Sequence, residues 1–153
     1  MKPMFSFALQ FEAKIDLSTD LIVTKDGRYF LLKRNLRRLI RKDFYYAGTY
    51  LGKVKNGKFF PSFNLLAMLA KGEANKIVVD KKASWLFICS RDIFRKGILA
   101  VHGSQRRGGY TLVLNEFGEC LGFGKITRDL DAKEPQVAVS NISDVGDFLR
   151  RES

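Results

Sequence analysis

The feature that most constrains the fold is a series of short apolar segments, separated by glycine-bearing turns, in the second half of the chain. Segments of this kind are typical of β-strands, and they occupy residues 77–79, 98–101, 110–115, 120–127 and 137–139. Glu116-Phe117-Gly118 predicts a hairpin loop, and residues 145–150 are expected to close the barrel. Many short strands at regular spacing predict a small β-barrel.

Two segments in the same half have a different pattern. Residues 83–89 are apolar nearly throughout and fit either a helix or a strand, whereas residues 91–96, closed by Gly97, predict a short helix. Trp85 and Phe87 are predicted to lie in the core. Cys89 and Cys120 stand in apolar runs, which predicts small buried residues that do not form a disulfide.

The first half predicts an antiparallel sheet with helices, so the chain as a whole is expected to have an α/β (α+β) fold. Strands are predicted at residues 5–11, 21–23, 28–32, 45–54 and 58–60. Lys25-Asp26-Gly27 indicates a turn, and Asn56-Gly57 best suits a type I′ hairpin turn. Helices are predicted at residues 32–43 and, capped by Asn64, at residues 64–70. The polar segment 71–75 predicts a boundary between domains at residues 1–75 and 76–153.

The charge balance favours a polyanionic partner. The formal net charge is +11, from 27 Lys and Arg against 16 Asp and Glu. Residues 1–75 hold fourteen basic and six acidic side chains, about +8, and residues 76–153 hold thirteen and ten, about +3. Because phosphate contacts release condensed counterions, nucleic acid is favoured over a merely solvated basic surface. The longest apolar runs are too short to span a bilayer, so we expect an intracellular protein without membrane contacts.

The densest basic cluster lies at residues 33–42, where six of ten side chains are Lys or Arg. If this segment is a helix, positions i, i+3, i+4 and i+7 share one face, and they hold Arg34, Arg37, Arg38 and Arg41. Like charges at these spacings repel, and RNA phosphate or an acidic protein surface would relieve the repulsion. The alternative is an ordinary amphipathic helix with a solvated basic face.

The C-terminal run from Gly118 to Glu152 resembles the end of a PUA domain, a small β-barrel that docks on structured RNA. A glycine-punctuated strand and a paired-arginine tail carry the resemblance: Leu121-Gly122-Phe123-Gly124-Lys125-Ile126 and Arg150-Arg151. Upstream segments resemble the domain that precedes PUA in the nuclear-import-protein-seven family of ribosome-biogenesis factors. They are Tyr46-Ala47-Gly48-Thr49-Tyr50-Leu51-Gly52-Lys53, Lys58-Phe59-Phe60 and residues 65–70. The resemblance covers about residues 21–152.

This resemblance implies a helix at residues 83–89 and an RNA site between the first helix region and the last strand of the PUA half. By approximate position, that site would hold Arg91, Arg95, Lys96, Arg150 and Arg151.

Further candidates come from the residues themselves. Arg106 and Arg107 precede two glycines in a loop that suits close approach to RNA, although for this pair alone a basic, solubilising hairpin end is the favoured interpretation. Phe44, Tyr45 and Tyr46 adjoin the basic cluster and are the better candidates for stacking on bases, with a core position still favoured.

Nothing in the sequence indicates catalysis. His102 is the only histidine, the two cysteines lack ligand spacing, and no phosphate-cradling Gly-rich loop precedes Lys-Ser or Lys-Thr. We therefore expect no metal, no cofactor and no enzymatic activity. The resemblance implies an RNA-binding factor for assembly of the large ribosomal subunit. Such a factor acts on precursor rRNA, beside other biogenesis proteins of the pre-ribosomal particle.

Two alternatives stay open. PUA domains also occur in pseudouridine synthases and transglycosylases, so one alternative is an accessory or catalytic component of an RNA-modification enzyme. The other is a protein-interaction adaptor whose basic surface meets acidic partners. Sparse Asn and Gln beside plentiful charged residues are compatible with a thermophile. This composition favours a cytoplasmic archaeal protein, whereas a eukaryotic member would be nucleolar.

Overall fold

The computed structural model describes residues 2–35, 48–104, 106–127, 130 and 137–147. The α-helices bounded within these residues are α1 Pro3–Leu9, α2 Phe63–Lys71 and α3 Lys81–Ile88. The strands of the first half are β1 Ile22–Lys25, β2 Arg28–Leu31, β3 Thr49–Lys55 and β4 Lys58–Pro61. Those of the second half are β5 Lys76–Val79, β6 Ile93–Phe94, β7 Ile98–His102, β8 Tyr110–Leu114, β9 Cys120–Ile126 and β10 Val137–Asp144.

Strands β1 to β4 form an antiparallel sheet in chain order. Both predicted turns are present between its strands. Asp26 and Gly27 have φ of 50° and 75°, and Asn56 and Gly57 have φ of 53° and 74°. Positive φ at both central residues is what a type I′ turn requires, and Asn, Asp and Gly adopt it most readily. These dipeptides therefore set the register of the first sheet.

The second half forms a curled sheet with the strand order β6-β10-β9-β8-β5-β7, in which only β5 and β8 pair in parallel. It confirms the predicted mixed fold with a barrel-like C-terminal half. Two glycines let β10 approach β9 closely. A Cβ atom at Gly122 would lie 2.0 Å from the carbonyl oxygen of Ser143, and one at Gly124 would lie 2.4 Å from that of Ser140. No larger residue fits at either position without moving β10.

One hydrophobic core joins the two halves. Phe123 of β9 packs against Phe7 of α1, with ring centroids 5.3 Å apart, and against Phe11, at 5.6 Å. Phe11 also meets Tyr110 of β8 at 6.0 Å. Aromatic pairs at these distances stabilise a core beyond the area that they bury. A second core lies beneath α3 and includes Ile77, Val79, Ala83, Phe87, Ile93, Val113, Ile126 and Val139.

The segment between the sheets is anchored. The backbone N–H of buried Asn75 donates to the carbonyl oxygen of Phe11 at 2.8 Å, and its side-chain oxygen accepts from the N–H of Ser104 at 2.7 Å. The ammonium of Lys76 donates to the carbonyl oxygens of Ala70 and Gly72 at 2.8 and 3.0 Å, at the end of α2. The predicted domain boundary at residues 75 and 76 therefore lies in a segment that hydrogen-bonds to residues of both halves of the chain.

The predicted strand at residues 5–11 is wrong, because helix α1 occupies most of it. Apolar residues alternate there as they do in a strand, but a helical repeat overlaps the alternation. That repeat places four buried side chains on one face: Met4, Phe7, Ala8 and Phe11. Leu9 belongs only to the alternating set, and it is 58% exposed. Pro3 begins the helix, where a missing N–H costs nothing.

Helix α2 confirms the predicted short helix but begins earlier. Its cap is Ser62, not Asn64: the Ser62 hydroxyl oxygen accepts from the N–H of Leu65 at 3.1 Å and donates to the carbonyl oxygen of Tyr50 at 2.6 Å. This one side chain starts the helix and ties it to β3.

The predicted helix at residues 91–96 is also wrong. Ile93 and Phe94 form the short strand β6 against β10, and residues Arg95–Gly97 form a 3₁₀ turn. Residues 145–147 begin a helix rather than a closing strand; β10, longer than predicted, supplies the edge with which β6 pairs. In the predicted helix at 32–43, residues 32–35 are not helical, and residues 36–43 lie outside the described residues. No helix in the part of the chain described is long and apolar enough to cross a membrane.

Candidate nucleic-acid interface

Helix α3 presents an exposed aromatic residue after two exposed basic ones. Asp80 caps the helix by accepting from the N–H of Ala83 at 2.8 Å, and this fixes which side chains face inwards. Ala83 and Phe87 are buried, with Phe87 fully so. The outward residues are Lys81, Lys82, Trp85 and Cys89. Positions 81, 85 and 89 share one side of the helix, since residues four apart are neighbours.

The prediction that Trp85 lies in the core is wrong. The prediction holds for Phe87, but the indole of Trp85 is 65% exposed. The apolar run gives no sign that Phe87 is buried and Trp85 exposed, because only the phase of the helix decides which of the two side chains faces the core. Asp80 was the available signal: a helix that begins there and buries Ala83 must turn Trp85 outwards.

The loop after α3 holds Arg91 in a fixed place. The side-chain amide of Asn141 in β10 donates to the carbonyl oxygens of Phe87 and Arg91 at 2.9 and 3.4 Å. The backbone N–H of Asn141 donates to the Asp92 carboxylate at 2.8 Å. Arg91 itself is exposed. The loop backbone is therefore attached to β10, while the guanidinium remains in solvent.

A buried carboxylate supports the same loop. Asp144 is 1% exposed and accepts from the Ser90 hydroxyl at 3.2 Å and from the Asn141 amide at 3.1 Å. It also accepts from the backbone N–H of Asp147 at 2.8 Å, where the following helix begins. Ser90 has φ of 66°, a left-handed conformation that side chains rarely adopt. This network links the loop, β10 and the start of the last helix.

The other basic residues predicted near α3 differ in role. The Arg95 Nε donates to the carbonyl oxygen of Leu130 at 2.6 Å and is half-buried, so its first task is to hold that segment. Lys96 is exposed and lines a shallow pocket of about 290 Å³ beside α3. Phe94 lines the same pocket and is 44% exposed. Thus Arg91 and Lys96 are available to a ligand, whereas Arg95 holds the backbone at Leu130.

Of the remaining predicted site residues, the described ones lie outside α3 and the loop that follows it. Arg106 and Arg107 are exposed in the loop between β7 and β8. Arg34 pairs with Asp20 at 3.3 Å on the surface, with their side chains 74% and 58% exposed. This pair was missed because Asp20 is fourteen residues away in sequence. Several candidates lie outside the described residues: Arg37, Arg38, Arg41, Phe44, Tyr45, Tyr46, Arg150 and Arg151.

The two cysteines have different environments. Cys120 is partly buried, and burial raises the pKa of its thiol from 9.0 to about 11. Cys89 is exposed at the end of α3, which corrects its prediction as a buried residue. His102 is exposed. In the described ranges, no three His, Cys, Asp or Glu side chains are arranged to hold a metal ion.

Known proteins share this architecture. The chain can be superimposed on a conserved PUA domain protein from Thermoplasma acidophilum over 99% of its own length and 92% of that chain, with a TM-score of 0.65 and 20% identity. A PUA domain from Aeropyrum pernix K1 is 23% identical, with a TM-score of 0.52, over 61% of this chain and 56% of that one. Both similarities concern the fold.

Sequence relatives identify the family. A UPF0113 protein from Archaeoglobus fulgidus is 29% identical over 112 residues, which cover 71% of this chain and 63% of that protein. The chain thus spans less than two thirds of this relative's length. The family model for the UPF0113 PUA domain matches residues 75–153, which include α3, its following loop and β10. The chain belongs to the UPF0113 PUA domain family, and its C-terminal half is a PUA domain, a module that binds RNA.

Proposed function

We propose that this protein binds RNA through the outward face of α3 and the loop that follows it, and that it does so as a non-catalytic assembly factor. The single observation that carries the proposal is the exposed indole of Trp85 on a helix face that also bears Lys81 and Lys82. An aromatic ring stacks on any unpaired base, and nearby cations attract the phosphates. Arg91 extends the same basic surface on an anchored loop.

The finer part of the proposal concerns the biological process. The resemblance of residues 46–53 and 58–60 to the nuclear-import-protein-seven family supports a role in assembly of the large ribosomal subunit. We infer that the RNA is precursor rRNA in a pre-ribosomal particle, and that other biogenesis proteins bind alongside. The surplus of about eight positive charges in residues 1–75 would add attraction of low sequence specificity. We place the protein in the cytoplasm of an archaeal cell.

The experiment uses the fact that Trp85 is the only tryptophan. Titration with a loop-containing RNA should change its fluorescence, and the affinity should fall steeply as salt rises, because counterions are released. Trp85→Ala should weaken binding of a dye-labelled RNA about tenfold, since stacking on one base contributes roughly 1–3 kcal/mol. Phe117→Ala is the matched control, because Phe117 is an aromatic residue 86% exposed in the β8–β9 hairpin loop, which belongs neither to α3 nor to the loop after it.

Equal affinity of the Trp85→Ala protein and the control would exclude α3 as the binding face. Absence of RNA binding at low salt would exclude the function itself. The nucleosides of the RNA, separated by chromatography after digestion, should be unchanged by incubation with the protein alone, and a new nucleoside, including pseudouridine, would favour an RNA-modifying activity.

A further inference from the structure

A groove lies where the first sheet meets the PUA half. It has a volume of about 470 Å³ and is formed by α1, the β3–β4 hairpin and strands β8 to β10. Phe59, Phe60 and Tyr110 line it and are half-buried. Phe7 and Phe123 of the shared core form its deeper wall. The size is within the range of small-ligand sites.

The charge of the lining is distinctive. Among the described residues that line this groove, Lys58 is the only charged one. Two other pockets differ in this respect, since one is lined by Glu12 and Glu73 and the other by Asp80 and Asp92. A cation without an acidic neighbour suits an anionic ligand.

Lys58 stands directly beside the aromatic wall. Its Nζ lies 5.4 Å from the centroid of the Phe60 ring. The type I′ turn at Asn56-Gly57 fixes the start of β4, and thereby the position of Lys58. The exposed amide of Gln10 lines the same groove and offers both a donor and an acceptor. One rigid site therefore combines an aromatic surface, a cation and an amide.

We propose that this groove binds one unpaired nucleobase of the bound RNA, with the adjoining phosphate at Lys58. This site rests on the proposed RNA-binding function and adds a second contact in a different part of the molecule. Any of the bases can stack on the aromatic wall, and the phosphate binds the Lys58 ammonium. The Gln10 amide can hydrogen-bond to donors and acceptors on the edge of the base. The occupant is a nucleotide because aromatic rings and a cation occur together among the described lining residues, none of which is acidic.

The test compares Lys58→Ala with Lys55→Ala. The two lysines are directly paired across the β3–β4 hairpin, so each substitution removes one charge from the same turn, but only Lys58 lines the groove. With a labelled single-stranded RNA of about ten nucleotides, Lys58→Ala should weaken binding several-fold more than Lys55→Ala. The slope of log affinity against log salt should also fall by about one for Lys58→Ala.

A second pair of variants tests the aromatic wall. Phe60→Ala should weaken binding about tenfold, as expected for the loss of one stacked base, and Phe60→Tyr should restore it. Adenosine 5′-monophosphate, added to the labelled full-length protein, should shift the NMR signals of Gln10, Phe60 and Tyr110. The Tyr variant keeps a ring of nearly the same shape, and the melting temperature of the Ala variant separates lost stacking from lost folding.

The outcomes distinguish this site from the function on which it rests. Suppose that RNA binds the wild type and quenches the fluorescence of Trp85, and that Lys58→Ala and Lys55→Ala lower the RNA affinity equally. The groove proposal then fails, and the proposed binding by the α3 face stands. If the wild type binds no RNA, the proposed function fails as well. Groove signals that shift on concentrating the protein alone would identify a second copy as the occupant and overturn the proposal.

Discussion

At the scale of single residues, Cys120 shows how burial changes chemistry. It lies at the start of β9, where its thiol donates to the carbonyl oxygen of Gly122 at 3.4 Å. Loss of hydration disfavours the thiolate and raises the pKa to about 11, and this outweighs the backbone hydrogen bonds that lower it. The folded chain therefore holds this proton at pH values where an unfolded chain would release it.

We predict that this residue makes stability decline in alkali. Between pH 9 and pH 11 the unfolded chain binds fewer protons at Cys120 than the folded chain, so the free energy of unfolding falls as pH rises. The contribution is fully present below pH 9 and is lost as pH passes through the folded pKa of about 11. Melting temperatures measured from pH 8 upwards should drop less for Cys120→Ala than for the wild type. Parallel curves for the two proteins would contradict the prediction.

The exposure of Trp85 depends on information that a local pattern does not contain. A run of apolar residues shows that a segment is partly buried, but the phase of the helix decides which side chain faces inwards. That phase is set by the Asp80 cap and by contacts from distant strands. Phe87 could therefore be predicted as core, whereas predicting the position of Trp85 required the Asp80 cap to be recognised first.

At the scale of elements, the attachment of the Arg91 loop to β10 is the most consequential arrangement. Asn141 makes this attachment with both its backbone and its side chain, and Asp144 reinforces it. The strand thereby positions a loop that lies fifty residues earlier in sequence. Support of this kind fixes the backbone that carries an exposed side chain without burying that side chain.

We predict that Asn141→Ala weakens RNA binding although the residue carries no charge. The substitution leaves the carbonyl oxygens of Phe87 and Arg91 without the amide, which should cost about 1–3 kcal/mol of stability. The loop then loses its fixed position, so affinity for RNA should fall at temperatures where the protein is still folded. Denaturant unfolding and RNA titration at the same temperature measure the two effects.

Ser140→Ala is the control for this prediction. Ser140 neighbours Asn141 on the same strand, and its hydroxyl donates to the carbonyl oxygen of Lys125 at 3.4 Å. This variant should bind RNA normally. If both variants bind as tightly as the wild type, the loop does not take part in binding.

Elements differ in how well local sequence predicts them. Asp26-Gly27 and Asn56-Gly57 were predictable because a type I′ turn depends on its own two residues. Helix α1 was missed because residues 4–11 satisfy a period of two and a helical period at once. Strand β6 was missed because two residues carry no periodicity, and only pairing with β10 makes them a strand.

At the scale of the whole molecule, α1 and the PUA sheet share their core. Phe11 is fully buried, although it belongs to the first half in sequence and contacts Phe123 and Tyr110 of the second half. Asn75 adds hydrogen bonds across the same region. We therefore expect the halves to unfold together.

We predict that Phe11→Ala destabilises the PUA half by about 3–5 kcal/mol, the usual cost of removing a buried phenylalanine. Trp85 reports on the PUA half, so its fluorescence midpoint in denaturant should shift by the full amount, in step with the far-UV signal. Phe117→Ala removes a phenylalanine that is 86% exposed. Its free energy of unfolding should stay within about 0.5 kcal/mol of the wild-type value. An unchanged Trp85 midpoint in Phe11→Ala would mean that the halves unfold independently.

The shared core also restricts how this PUA domain can be exchanged between proteins. A chimera that joined residues 76–153 to an unrelated partner would leave the apolar faces of Phe123 and Tyr110 uncovered, since these faces are covered by Phe7 of α1 and by Phe11, which follows the helix. A graft would have to carry α1, or an equivalent aromatic pair, together with the barrel. Recombination among relatives is then favoured when α1 and the PUA sheet are transferred together. A substitution in α1 selects for a matching substitution in β8 and β9.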